Sequence, residues 1–142
     1  MSESWSYEFY KLPNELKAAA ISTVKEVLLK RANAFAEELK RRCPVNTGGL
    51  RNSIKVKEVK PSRRHPDRVG YEVVFDGYDK HNRPYQVIAN SLNFGYTMNN
   101  GKMVRTSSYR FMAEAHAVLR GIDKEIDAEW ERTLERMSQN GN

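Results

Sequence analysis

The sequence predicts an α+β fold in which a long N-terminal helix, a small antiparallel β-sheet with a short helix, and a long C-terminal helix pack together. Two stretches, residues 13–42 and the residues after 108, carry apolar side chains at helical spacing, whereas residues 69–75 alternate as a strand does. The C-terminal helix is expected to pack on the sheet. With 142 residues, the chain is expected to be a single domain with a real core.

The composition is that of a soluble globular protein, because 39% of the residues are hydrophobic and 30% are charged. No apolar run is long enough to span a bilayer, and the first residues lack the order of a signal peptide. A single cysteine fits a reducing compartment. The sequence therefore predicts a protein made in the cytoplasm, with no membrane partner.

Residues 1–11 form a polar N-terminal arm with four aromatic side chains, those of Trp5, Tyr7, Phe9 and Tyr10. Aromatic residues at this density seldom remain free in water. Two interpretations stay open: the arm docks on the body of the protein, or it docks on a partner.

The first helix is predicted over residues 13–42, with Pro13 in its first turn and cations in its last turn. Pro44 cannot extend the helix, and residues 46–49 supply turn chemistry. One of Gly48 and Gly49 is expected at positive φ. The stripe predicted to face the core consists of Leu16, Ala20, Val24, Val27, Leu28, Arg31, Phe35 and Leu39.

A β-sheet should follow the turn at residues 46–49. Residues 50–54 are expected to open the first strand and residues 69–75 to form the second. Residues 85–94 favour a short helix that ends at Gly95, and Met103-Val104 favours a short strand after a loop. Ser107 or Ser108 should cap the last helix, whose apolar stripe continues past Gly121 before residues 138–142 fray. The stripe consists of Phe111, Ala115, Val118, Leu119, Ile122, Ile126, Trp130, Leu134 and Met137.

No residue pattern in the sequence assembles an active site. Cys43 follows the C-terminal end of a helix, where the dipole opposes a thiolate, although nearby arginines favour it. The three histidines are far apart, and Asp76, Asp79 and Asn82 lack the spacing of a calcium loop. A phosphate-binding glycine loop and a serine-nucleophile elbow are also missing. The sequence thus predicts no catalytic residue, no cofactor and no metal site.

The net charge of +6 is unevenly distributed. Basic residues outnumber acidic ones in residues 40–68, whereas residues 123–136 contain six acidic and three basic residues. A basic cluster can contact nucleic acid, or it can meet an acidic face of another copy of the same chain. Both interpretations remain open at this point.

Three segments resemble the signature of a bacteriophage family, the head–tail joining or tail-completion proteins of the gene-product-ten type. The first is similar to Pro-Val-Asp/Asn-Thr-Gly-x-Leu-Arg-x-Ser-Ile, the second to Pro-Tyr-x-x-Ile-Ala-Asn-x-Leu-Asn-Tyr-Gly, and the third to the start of the family's last helix. The residues that carry the resemblance are Pro44, Val45, Thr47, Gly48, Gly49, Leu50, Arg51, Ser53, Ile54, Tyr85, Ile88, Ala89, Leu92, Phe94, Gly95, Phe111 and Ala115.

The resemblance implies a non-enzymatic virion protein that forms an oligomeric ring at the neck or upper tail and joins head to tail. Its implied partners are other copies of the chain and neighbouring connector and tail proteins, with DNA passing through the ring without sequence-specific contact. The alternative is a basic nucleic-acid-binding module that uses residues 40–68. Candidate contacts with another subunit or a partner are Trp5, Tyr7, Arg63, Arg64, Tyr96, Met98 and Lys102.

Overall fold

The computed structural model describes residues 3–7, 14–44, 48–66, 68–105 and 109–140, with the backbone alone at residues 3–7, 96 and 140. An α+β architecture is confirmed. The elements follow the order β1 (Glu3–Tyr7), α1 (Asn14–Arg42), α2 (Gly49–Asn52), β2 (Ile54–Glu58), β3 (Val69–Phe75), α3 (Tyr85–Phe94), β4 (Tyr96–Thr97), β5 (Met103–Val104), α4 (Phe111–Ala115), a 3-10 turn (His116–Leu119) and α5 (Ile122–Asn140).

The main sheet is antiparallel and has the strand order β1-β3-β2. The N-terminal strand β1 pairs with β3, with Glu3 opposite Val73 and Tyr7 opposite Val69, so this part of the arm docks on the body of the protein. On β3, the four alternating residues predicted to share one face are all buried. They are Val69, Tyr71, Val73 and Phe75. A second, two-stranded sheet joins β4 to β5.

Helix α1 is buried on two sides. Its nine buried residues cover about 220° of its circumference at 100° per residue, which is wider than the predicted stripe. On one side, the hydroxyl of Thr23 lies 2.8 Å from that of Thr133 on α5. Two residues on, and therefore on the opposite side, Lys25 Nζ lies 2.8 Å from Glu58 Oε1 at the end of β2. Helix α1 thus lies between α5 and the sheet, and it contacts both.

The prediction of one continuous last helix was wrong. The chain forms α4, the 3-10 turn and α5, with a break at Gly121, which has a φ of 78°. Arg31 of α1 holds both sides of this break: its Nε donates to Glu125 Oε2 (2.6 Å), and its Nη1 donates to the carbonyl oxygen of Val118 (2.7 Å). A side chain assigned to the apolar stripe is therefore a charged partner for the helix break.

The last helical region contacts the sheet through its first turn, where the rings of Phe111 and Phe75 meet edge to face at 6.2 Å. Helix α5 packs on α1 instead. Along α5, Ile126 is buried, Trp130 is half-buried, and Leu134 and Met137 are exposed. Helix α4 begins at Phe111; Ser107 and Ser108, the predicted caps, lie outside the described residues.

One further prediction was wrong at the corner after α1. Residues 50–54 were expected to open a strand, but Gly49–Asn52 form a single helical turn and the strand begins at Ile54. The reason is local, because Asn52 N–H donates to Gly48 O and Ser53 N–H to Gly49 O, both at 3.0 Å. The prediction of a positive φ at one of the two glycines is confirmed, at Gly48.

We expect Arg31→Met to lower the free energy of unfolding by about 1.5–3 kcal/mol, because the carbonyl of Val118 and the carboxylate of Glu125 lose a charged donor in a partly buried site. Lys30→Met is the matched control, since Lys30 reaches the same carboxylate from a side chain that is 76% exposed. Its effect should stay within about 0.5 kcal/mol. Urea unfolding of both variants measures the difference, and equal losses would contradict the role of Arg31.

The stability that the ion pair between Arg31 and Glu125 contributes should depend on pH. Burial raises the pKa of Glu125, but the hydrogen bonds and charges of Arg31 and Lys30 outweigh it and hold the pKa below its ordinary value of 4.5. A lowered folded-state pKa means that the contribution is complete above the unfolded-state value and is lost as the pH falls through the folded-state value. The stability gap between the wild type and Arg31→Met should therefore narrow below about pH 4.5. Urea titrations at pH 7 and pH 3 measure it, and a constant gap would contradict it.

Candidate functional site

The structure brings the first and second signature segments together in one surface groove of about 340 Å³. The first segment contributes Pro44, Gly48 and Leu50 to the wall. The remaining lining residues belong to the β3–α3 connection and to α3, and they are Asp79, Lys80, His81, Arg83, Tyr85, Ile88 and Leu92. The groove therefore has both apolar and charged lining residues, and the charged ones come from the β3–α3 connection.

The first wall is built by the corner that follows α1. Cys43 N–H donates to Leu39 O (2.8 Å), and the helix ends before Pro44. After the turn at Gly48, Ser53 is buried: its hydroxyl donates to Leu50 O (2.6 Å), and its carbonyl accepts from Asp76 N–H (2.8 Å). These bonds fix the corner to the end of β3.

The carboxylate of Asp79 holds the β3–α3 connection in place. Its Oδ1 accepts from the backbone N–H groups of His81 (2.9 Å) and Arg83 (2.8 Å), while Oδ2 accepts from Arg83 Nε (2.8 Å). The backbone hydrogen bond from Arg83 is the largest cause of the lowered pKa of Asp79; burial opposes it, and the Arg83 side chain and His81 N–H add to it. Asp79 therefore organises the connection as an anion that is already bonded within the chain.

The second wall is α3, which the sequence predicted. Gln86 Oε1 accepts from Phe75 N–H (3.1 Å), and Ala89 is fully buried against the core. Asn93 is also buried, and it joins the third segment to this helix: its Oδ1 accepts from Met112 N–H (2.9 Å) and its carbonyl from Arg110 N–H (2.8 Å). Asn93 thus caps α4 from another element.

Phe111 and Ala115, the third group of signature residues, are buried in the core and do not line the groove. Their packing partners come from outside the segment. Phe111 meets Phe75, and the neighbouring His116 ring lies 5.7 Å from the ring of Phe35. The third segment therefore supports the site by packing on α1 and β3.

On another face of α3, and on the β4–β5 hairpin, large apolar side chains are exposed. Val87 and Phe94 are 58% and 51% exposed, and Met98 and Met103 are 47% and 55% exposed. Val87 and Phe94 are seven residues apart, which places them on one face of α3. The hairpin adjoins the end of this helix, because β4 begins directly after Gly95.

The other predicted contact residues are distributed over several elements. Arg63 and Arg64 are exposed in the β2–β3 connection, and Lys102 is exposed in the hairpin. Trp5 and Tyr7 lie on β1 and Tyr96 on β4, where the structure describes the backbone. Val45 and Thr47 lie outside the described residues. The structure therefore unites the first two signature segments, whereas Arg63, Arg64, Met98 and Lys102 are not among the residues that line the groove.

The residues before Met103 were expected to form a loop that contains asparagine and glycine. Instead Met98 N–H donates to Lys102 O (2.8 Å), Gly101 N–H donates to Met98 O (2.9 Å), and the side chain of Asn100 accepts from Lys102 N–H (3.0 Å). These bonds close the two short strands into a defined turn. The asparagine and glycine between two strand-forming pairs were the available sequence signal.

Cys43 is buried, and burial raises the pKa of its thiol to about 11, although the nearby charge of Arg51 lowers it. The thiol is therefore protonated at neutral pH. Among the described residues, no three His, Cys, Asp or Glu side chains come together as a metal site would require. Within the same residues, no helix has the length and apolar character needed to cross a membrane.

Sequence reasoning missed the roles of Arg31, Asp79 and Asn93. Each is a polar side chain that satisfies backbone groups of another segment or of its own turn. Asn93 offered a signal, because asparagine inside a helix competes for backbone hydrogen bonds and calls for a partner. Arg31 offered one as well, since a cation within an apolar stripe requires compensation.

Comparison with protein families gives one match. The family described as "Bacteriophage HK97-gp10, putative tail-component" matches residues 8–95, which is more than half of the chain. The matched range contains both segments that line the groove and ends at Gly95. No curated protein and no solved structure shows significant similarity to the chain.

Gly95 provides a test of the contact between α3 and the hairpin. It has a φ of 82°, and an added Cβ would lie 2.6 Å from Val104 O. Gly95→Ala should therefore lower the free energy of unfolding by about 1–3 kcal/mol or more. Gly101→Ala is the matched control, because Gly101 has a φ of 85° but no neighbouring atom within 4 Å. Thermal melts compare them, and a smaller loss for Gly95→Ala would contradict the close approach.

Proposed function

The chain belongs to the HK97-gp10 family of bacteriophage tail components, and from this premise we propose that it joins head to tail as an oligomeric ring. In this proposal it is a non-enzymatic assembly protein at the neck or upper tail of the virion, assembled in the host cytoplasm. The supporting observation is the groove, which is built from both segments of the matched range.

The groove suits recognition of a neighbouring protein. Leu50, Ile88 and Leu92 supply apolar surface, while Lys80 and Arg83 supply positive charge. Protein–protein interfaces combine apolar contacts with polar and charged ones. We therefore assign the groove to contact with an adjoining protein of the particle, either another copy of the chain or a connector or tail protein.

The exposed face of α3 supports the same proposal. Phe94 is one of the signature residues, yet half of its surface is in water, so its aromatic ring contributes less to the fold than a buried ring would. Exposed aromatic and methionine side chains are enriched where proteins meet. Phe94 and Val87, on a face of α3 that does not line the groove, and the hairpin methionines are exposed apolar side chains, and we assign them to contacts in the assembled particle.

The test is complementation of a phage that lacks the gene. The double variant Val87→Ser and Phe94→Ser should keep the melting temperature of the isolated chain nearly unchanged, because both side chains are already more than half exposed. The same variant should yield filled heads and separate tails. Leu29→Ser is the matched control, since Leu29 is an exposed apolar residue on α1. Electron microscopy and infectious titre measure the outcome.

Normal yields of joined, infectious particles from the double variant would contradict the role of this surface. Absence of the chain from purified virions would overturn the proposed function itself.

A nucleic-acid-binding module is the second candidate, because Lys55, Lys60, Arg63 and Arg64 are all exposed. If the chain instead surrounds DNA without reading it, binding of double-stranded DNA should be weak and independent of sequence at physiological salt. Fluorescence anisotropy with two unrelated duplexes measures this. Tight, sequence-selective binding at that salt would favour the second candidate over the ring.

A further inference from the structure

Helix α5 carries a ridge of acidic residues on its solvent face. Its members follow each other at four-residue steps, which places them along one row of the helix surface. All of them are exposed, and we call them the acidic ridge: Asp127, Glu131 and Glu135. Among the described residues, no basic side chain forms an ion pair with Asp127, Glu131 or Glu135 within the salt-bridge distance of 4 Å.

Two neighbouring basic residues of α5 have other partners. Arg132 pairs with Glu129, and Arg136 Nη2 donates to the hydroxyl of Thr133 (3.3 Å). The apolar row of the same helix, which includes the buried Ile126, faces α1. The acidic ridge therefore remains an unneutralised surface of the folded chain.

A basic surface lies on and after β2. Its members are exposed and carry four positive charges: Lys55, Lys60, Arg63 and Arg64. Two nearby acidic residues have partners, since Glu58 pairs with Lys25 (2.8 Å) and Asp76 with Lys57 (3.1 Å). A third, Glu72, lies opposite Lys57 on β3. Asp67, in the same connection, lies outside the described residues. We call the four exposed cations the basic surface.

The acidic ridge and the basic surface are carried by elements that contact α1 at different sides. Thr133 of α5, which lies between Glu131 and Glu135, contacts Thr23, whereas Glu58 at the end of β2 contacts Lys25. Residues two apart point to opposite sides of a helix. The acidic ridge and the basic surface therefore lie on opposite sides of α1.

We propose that the acidic ridge of one copy of this chain binds the basic surface of the next copy. This inference rests on the proposed ring and names its subunit contact. Two different, complementary patches on opposite sides of a subunit form a head-to-tail contact, which produces a ring when the rotation closes. DNA fits the basic surface alone and would be repelled by the ridge, whereas a second copy uses both surfaces.

The test is self-association of the full chain by sedimentation velocity. At an ionic strength of about 0.01 M, where charges interact over about 30 Å, the chain should associate, and the association should weaken at 0.15 M. The pair Arg63→Glu and Arg64→Glu, and the pair Glu131→Lys and Glu135→Lys, should each weaken association by about tenfold or more, because like charges then meet.

Mixing the two charge-reversed proteins provides the decisive measurement. The reversed ridge of one is complementary to the reversed basic surface of the other, so a mixed complex should form although neither protein associates alone. Glu26→Lys is the matched control, because Glu26 is exposed and lies outside the two surfaces and outside the groove. This variant should associate as the wild type does, and circular dichroism melts check that all variants fold.

A chain that stays monomeric at low salt, or reversed variants that associate normally, would overturn this inference. Loss of DNA binding but not of association in Arg63→Glu with Arg64→Glu would also overturn it and favour a nucleic-acid contact. These results are distinguishable from failure of the proposed function. A chain present at the neck of virions, with reversed variants that complement normally, removes only the subunit contact, whereas a chain absent from virions removes the ring.

Discussion

The burial of α1 on two sides is the constraint on which the other elements depend. Phe35 and Leu28 are its most deeply buried large side chains, and their removal from water contributes about 1.5–3 kcal/mol each. Because the sheet covers one side and α5 the other, neither can move without exposing apolar surface of α1. Arg31 also fixes the position of the helix break, since its guanidinium binds Glu125 on one side of the break and the carbonyl of Val118 on the other.

The groove and the end of α3 are each held by a few short-range contacts. Asp79 closes the connection before α3, and Asn93 ties the end of α3 to the start of α4. Gly95 then allows the hairpin to approach within contact of the helix end. Each of these residues satisfies backbone groups or removes a steric conflict, so the groove is preformed in the isolated subunit. A preformed site loses less conformational entropy when a partner binds.

The central position of α1 also explains the distribution of charge. Acidic residues on α5 and basic residues after β2 are carried by elements on opposite sides of the same helix. Opposite charges on opposite sides favour contact between copies over neutralisation within one copy.

The sequence by itself determined the elements whose signal is local. The helical spacing from Ala20 to Leu39 predicted α1, the alternation from Val69 to Phe75 predicted β3, and Gly95 predicted the end of α3. These predictions were possible because repeated burial on one face is visible in the residue pattern. Only the tertiary structure decided the break at Gly121, since an apolar stripe continues through it and the compensating donor, Arg31, is about ninety residues away. It also decided that β1 joins the sheet and that Leu50 and Ile88 share one groove, because long-range pairing leaves no local pattern.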